Sequence, residues 1–156
     1  MNKMIWVAAG ALVLGGGIAF LLTPQQAVQQ TGETAGHSMA PPDTSGVAQG
    51  APIIEVKLPA ELSANAQIGK RAFEAKCAAC HNDNAAGQNG VAPPLVHKIY
   101  EPSHHGDASF MAAAMNGVVS HHWNFGNMPP VKGITQADVK YIATYVRELQ
   151  RANGIN

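Results

Sequence analysis

Two cysteines and a histidine at C-x-x-C-H spacing are the residues of this chain best suited to carry chemistry. They are Cys77, Cys80 and His81, and the 156-residue chain contains no other cysteine. Side chains three and four positions apart share one face of a helical turn. One turn could therefore supply two thioether bonds to a haem and an imidazole bond to its iron. The motif predicts a single, covalently attached haem c.

A C-x-x-C motif also occurs in disulfide-exchange proteins and as half of a zinc site. The first class usually shows a βαβ pattern around the motif, and the second needs another pair of cysteine or histidine ligands at short spacing. The sequence has neither pattern. The haem interpretation is therefore favoured over both alternatives.

The second axial ligand decides between an electron carrier and chemistry at an open iron. Met128 is the candidate for this ligand, within the segment Phe-Gly-Asn-Met-Pro-Pro-Val at residues 125–131. The two prolines prevent a helix and stiffen the loop, so that it could hold a thioether against iron. A methionine that only fills a gap in the core is the alternative. With Met128 as ligand, the iron would be held by His81 and Met128.

Helices must position these residues, and the sequence predicts an all-α domain. Apolar residues at helical spacing predict helices over residues 66–76, 110–119 and 134–149, and no alternating strand pattern is present. Thr135 is the expected N-cap of the last helix, with Asp138 in its first turn. Because large apolar side chains are few, a haem would supply much of the core, and the haem-free chain should be largely unfolded.

From about residue 66 to residue 149 the chain resembles the class I bacterial cytochromes c. The haem motif is the specific part of the likeness, and three weaker segments occur in the order of that family: residues 69–73, residues 90–95 and residues 126–130, followed by a closing helix from Ile134. The resemblance implies a class I cytochrome c-like helical domain around one covalent haem c. It also implies that Pro93 backs the haem histidine, that Met128 is the second ligand, and that an aromatic side chain of the closing helix packs on the first helix.

Residues 1–22 are predicted to form an N-terminal transmembrane anchor. Residues 4–22 are uncharged and mostly apolar, and at about 1.5 Å per residue such a helix spans a hydrocarbon core of about 30 Å. Lys3 is the only basic residue before Lys57, which predicts a cytoplasmic N-terminus and a periplasmic haem domain at a bacterial inner membrane. A signal peptide cleaved near residues 17–19 is the alternative.

The remaining chain divides by composition into a linker and a haem domain. Residues 23–54 are rich in Gln, Thr, Ser, Gly and Pro, and are predicted to form a disordered linker before the haem domain at residues 55–156. Ten basic and ten acidic residues cancel over the chain, and no basic patch of the kind that binds nucleic acid is present. The expected partners are redox proteins, which would dock through a local surface around the haem edge.

Two histidine pairs, His104-His105 and His121-His122, have no assigned place in this scheme. The first interpretation is polar surface or hydrogen bonding to haem propionates. The second is a copper or zinc site, although adjacent side chains usually point apart, so that each pair should supply at most one ligand. The third is that one of these histidines replaces Met128 as the sixth haem ligand.

Together these features predict an electron carrier and not an enzyme. The expected protein is a membrane-tethered monohaem cytochrome c that passes single electrons between redox partners of a respiratory or related chain. Ligation by His81 and Met128 would saturate the iron and favour a high reduction potential. The alternatives are a haem-bearing subunit of a periplasmic oxidoreductase complex and a haem sensor with a displaceable sixth ligand.

Overall fold

Helices form the regular secondary structure of residues 39–156, which are the residues that the computed structural model describes. In chain order they are α1 (Ala64–Lys76), α2 (Ala78–His81), α3 (Asp107–Asn116) and α4 (Gln136–Ala152), with short 3-10 helices at Asp83–Ala85 and Lys98–Tyr100. Over this range only isolated β-bridges occur, with no strand. The all-α prediction is therefore confirmed for the described part of the chain.

The predicted membrane anchor, residues 1–22, and the first part of the predicted linker, residues 23–38, lie outside the described residues. Among residues 39–156, no helix has both the length and the apolar character that crossing a bilayer requires.

Helices α1 and α4 begin at side-chain caps. The Ser63 hydroxyl accepts a hydrogen bond from the backbone N–H of Ala66 at 3.2 Å. At α4, the Thr135 hydroxyl accepts from the Asp138 N–H at 3.1 Å, and the Asp138 carboxylate accepts from the Thr135 N–H at 2.9 Å. These reciprocal bonds satisfy backbone donors that the helix itself leaves unpaired. The predicted cap at Thr135 is confirmed.

The crossing of α1 and α4 forms the centre of the domain. The two backbones are so close at Gly69 that a Cβ atom there would lie 1.9 Å from the carbonyl oxygen of Tyr141. One turn further along, the rings of Phe73 and Tyr145 pack with their centroids 5.7 Å apart. The aromatic contact between the first and last helices, which the family resemblance implies, is therefore present. This contact fixes the direction of α1 and therefore the position of the haem motif at its end.

Helix α3 is shifted from its predicted position at residues 110–119. It begins at Asp107 and ends at Asn116, where Gly117 takes a φ of +78°. This left-handed conformation suits glycine and ends the helix. The prediction of a helix through residue 119 is wrong because Val118 instead pairs with Met128, through N–H to carbonyl hydrogen bonds of 2.9 and 3.0 Å.

Part of the predicted linker is ordered against the haem domain. Within residues 47–54, the Gly50 N–H donates to the carbonyl of Asn89 at 3.0 Å, and the Asn89 N–H donates to the carbonyl of Ala51 at 2.9 Å. The Asn89 side chain adds a 2.7 Å bond to the carbonyl of Val47. The folded domain therefore begins before residue 55.

Candidate functional site

The haem motif lies at the junction of α1 and α2. The backbone N–H of Cys77 donates to the carbonyl of Phe73 and so closes α1. The Cys77 carbonyl then accepts from the N–H groups of Cys80 and His81, at 3.1 and 2.9 Å. The three motif residues therefore share one helical turn, the arrangement that attachment to one macrocycle requires.

His81 is buried and oriented by a single backbone contact. Its side chain is in the core, with 7 % of the residue exposed, and its Nδ1 atom lies 2.9 Å from the carbonyl oxygen of Pro93. A carbonyl can only accept, so Nδ1 carries the proton and Nε2 keeps its lone pair for a metal. Burial lowers the pKa of His81, although the Pro93 carbonyl opposes this shift. The implied role of Pro93 behind the histidine is confirmed in this geometry.

A cavity of about 630 Å³ brings the predicted site residues together. Cys77, Cys80, His81 and Met128 all line it. Most other lining side chains are apolar, among them Leu95, Phe110, Val118, Ile134, Val139 and Ile142. Burial raises the pKa of the Cys77 thiol to about 11. The apolar lining of the cavity suits a large apolar group such as a haem.

The loop that carries Met128 is fastened to the end of α3. Besides the paired hydrogen bonds between Met128 and Val118, the Val131 N–H donates to the carbonyl of Ala114 at 2.9 Å. A Cβ atom at Gly117 would lie 2.5 Å from the Met128 carbonyl oxygen. The structure therefore holds the backbone of Met128 on both sides of the residue, and its half-buried side chain lines the cavity.

Trp123 is a site residue that the sequence analysis did not identify. It is buried, lines the cavity, and its Nε1 atom makes no hydrogen bond to any described residue. Burial raises the pKa of Tyr100, and the neighbouring Trp123 indole opposes that rise, but their contact falls short of hydrogen-bond geometry. A buried N–H without an acceptor costs about 1–3 kcal/mol. An acceptor on the group that fills the cavity, such as a haem carboxylate, would remove this cost.

Two buried polar residues of α4, Arg147 and Gln150, hydrogen-bond to the backbone of the loop beside the cavity that contains Tyr100. Arg147 donates to the carbonyl of Tyr100 at 2.7 Å, to the carboxylate of Asp107 at 2.9 Å and to the carbonyl of His105. Gln150 donates to the same Tyr100 carbonyl at 3.0 Å. Loop carbonyls that would otherwise be buried without partners are thus satisfied, and α4 sets the positions of Tyr100 and His105.

The two histidine pairs come together at the edge of the cavity. The ring centroids of His104 and His105 are 4.5 Å apart, and that of His122 lies 5.6 and 5.4 Å from them. One nitrogen from each of these three rings can be chosen so that all lie within 4.8 Å of one another. The expectation that adjacent histidine side chains point apart is wrong for His104 and His105, whose ligand nitrogens both belong to this group.

The reason is that His104 and His105 lie in a turn and not on a regular helix or strand. The N–H groups of both residues donate to the carbonyl of Glu101, at 3.1 and 2.8 Å. A turn does not impose the alternation of side-chain directions that a strand has, and the two imidazole rings lie against each other. Burial lowers the pKa of His105 and of His122, and neighbouring imidazoles lower both further.

Comparison with known proteins adds one match. The model of the family described as Cytochrome c matches residues 66–150, which includes the haem motif, the cavity loops and most of α4. No curated protein and no solved structure matches the chain. The chain therefore belongs to the cytochrome c family, and its haem c is attached covalently through Cys77 and Cys80.

Proposed function

We propose that this protein is a single-electron carrier whose iron is ligated by His81 and Met128. The observation that carries the proposal is the shared cavity, which His81 and Met128 line together with both attachment cysteines. The haem supplies a one-electron ferric/ferrous couple. The chain contributes an imidazole with a fixed tautomer and a thioether on a braced loop, so that neither ligand has to move when the electron arrives or leaves.

Ligand saturation favours an electron carrier over an enzyme or a sensor. With His81 and Met128 both bound to it, the iron would have no open position for substrate or gas, and the remaining cavity lining is mostly apolar. The partners proposed are redox proteins that dock at the haem edge. Val91 lines the cavity and is 41 % exposed, which offers an apolar contact there.

The proposed location is the periplasmic face of a bacterial inner membrane. It rests on the apolar run at residues 4–22 and the single preceding Lys3. Cell fractionation tests it: the full chain should sediment with membranes. Replacement of residues 1–22 by a cleavable signal peptide should release the haem protein in soluble form.

Optical spectroscopy of the purified holoprotein tests the ligands. The ferric protein should show the weak near-infrared charge-transfer band that methionine ligation gives to low-spin haem. Met128→Ala should abolish this band and allow the ferrous protein to bind carbon monoxide rapidly. Met115→Ala is the matched control, because Met115 is a partly exposed methionine of α3 outside the cavity lining. A band that survives in Met128→Ala would refute the ligand assignment.

A further inference from the structure

We propose that His104, His105 and His122 form a second metal site, distinct from the haem iron, that takes a divalent Zn²⁺ or Cu²⁺ ion. Their nearest ligand nitrogens lie within 4.8 Å of one another. Two nitrogens bonded to one zinc ion at about 2.1 Å are about 3.4 Å apart in a tetrahedral arrangement. Small side-chain rotations would therefore close the three imidazoles around an ion.

His105 is already oriented as a ligand. Its Nδ1 atom lies 2.6 Å from the carbonyl oxygen of Ile99, so Nδ1 donates and Nε2 keeps a free lone pair. Metal-binding histidines commonly have this second hydrogen bond to a carbonyl, which fixes the tautomer and the ring direction. This hydrogen bond holds His105 firmly, because Ile99 is fully buried and Arg147 donates a hydrogen bond to the carbonyl of His105.

The donor set selects the kind of ion. Three imidazoles suit zinc and copper, whereas Ca²⁺ and Mg²⁺ prefer oxygen ligands. His104 is exposed, and His105 and His122 are half-buried. The ion would therefore enter from solvent and keep its fourth position for water. Three protein ligands with one open position is a stable arrangement for zinc.

His121 is close to this cluster but outside it. Its ring centroid is 4.3 Å from that of His122, but its nitrogens do not belong to the group of three whose ligand atoms lie within 4.8 Å of one another. His121 therefore provides the matched control: it has the same chemistry, the same neighbourhood and no predicted bond to the ion.

Zinc titration of the ferric holoprotein against a chromogenic chelator tests the site. We expect one Zn²⁺ per protein. His104→Ala and His122→Ala should each weaken its affinity at least tenfold, whereas His121→Ala should change it less than twofold. The electron paramagnetic resonance of added Cu²⁺ should show nitrogen coupling that His122→Ala reduces. Substitution of His105 is avoided because its ring also binds the Ile99 carbonyl.

Three results would overturn the proposal. The first is zinc binding no tighter than that of a single surface histidine. The second is an equal loss of affinity in His121→Ala and His122→Ala, which would indicate scattered binding. The third is loss of the low-spin haem spectrum in His122→Ala, which would make His122 a haem ligand. The first two results leave the haem spectrum unchanged and overturn the zinc site alone, whereas the third also contradicts ligation by Met128. The optical spectrum therefore distinguishes failure of this proposal from failure of the proposed electron-carrier function.

Discussion

The α-carbon of Gly117 and the carbonyl of Met128 are so close that no side chain fits between them. Gly117 has a φ of +78°, and an added Cβ would lie 2.5 Å from the Met128 oxygen. Gly126 has a similar φ of +88° but nothing within 4 Å of such a Cβ. Of these two glycines, Gly117 is the one where a substitution would combine backbone strain with a clash against the residue that carries the proposed ligand.

Gly117→Ala should displace Met128 and weaken or abolish the near-infrared methionine band, with carbon monoxide binding to the ferrous protein becoming faster. Gly126→Ala should destabilise the fold by its backbone strain but keep the band. Spectra of the two holoproteins at the same concentration provide the measurement. Equal retention of the band in both variants would contradict the view that the Gly117 contact holds the ligand loop.

Single residues differ in how far the sequence reveals their roles. Cys77, Cys80 and His81 are evident because their chemistry depends on local spacing alone. The role of Trp123 is not evident from the sequence, because it depends on burial beside a cavity whose walls come from distant parts of the chain. The grouping of His104, His105 and His122 is not evident from the sequence either, because it depends on a turn that has no strong sequence signal.

At the scale of elements, the packing of α1 on α4 depends on Gly69. An added Cβ would lie 1.9 Å from the Tyr141 carbonyl oxygen, which is backbone and cannot rotate away. Gly69→Ala should force the helices apart and lower the free energy of unfolding by about 1–3 kcal/mol, despite the better helix propensity of alanine. The control is Gly46→Ala, because an added Cβ at Gly46 would have no neighbouring atom within 4 Å. Denaturant unfolding of both holoproteins gives the comparison, and equal stability would refute the close crossing.

The cap of α4 predicts a pH dependence. Hydrogen bonds from Thr135 lower the pKa of Asp138 below its ordinary value of 3.8. The charged carboxylate therefore stabilises the folded state above the unfolded-state pKa, and this contribution is lost as pH falls through the lowered folded-state pKa. Thermal unfolding of the wild type and Asp138→Ala should differ most near neutral pH and converge as the pH falls below the ordinary aspartate pKa of 3.8. A difference that stays constant over this range would contradict the cap's electrostatic role.

Elements were predictable where local signals agreed with packing. The cap residue Thr135 precedes a clear apolar stripe, and both survive in α4. The end of α3 was mispredicted because Val118 and Val119 continue the apolar pattern, while Gly117 ends the helix. The order of residues 47–54 is not evident from the sequence because their composition does not reveal hydrogen bonds to the loop around Asn89.

At the scale of the whole molecule, the haem cavity and the core are one structure. Val139 and Ile142 are buried core residues of α4 that also line the cavity. Without the haem, the apolar side chains that line a cavity of about 630 Å³ lose their packing contacts there. The total stability of a typical domain is only about 5–15 kcal/mol, so the cost of this loss is large in comparison. Partial collapse would recover some of this cost only by breaking the packing that defines the fold.

The haem-free chain should therefore be largely unfolded. Apoprotein made without haem attachment should show weak far-ultraviolet circular dichroism and no cooperative thermal transition, whereas the holoprotein should be helical and melt cooperatively. In the apoprotein, the hydrogen bonds from Arg147 and Gln150 should also be lost, because they hold a loop whose other side faces the cavity. An apoprotein that melts cooperatively near the temperature of the holoprotein would mean that α1 and α4 form a sufficient core. The haem would then fill a preformed cavity and not complete the fold.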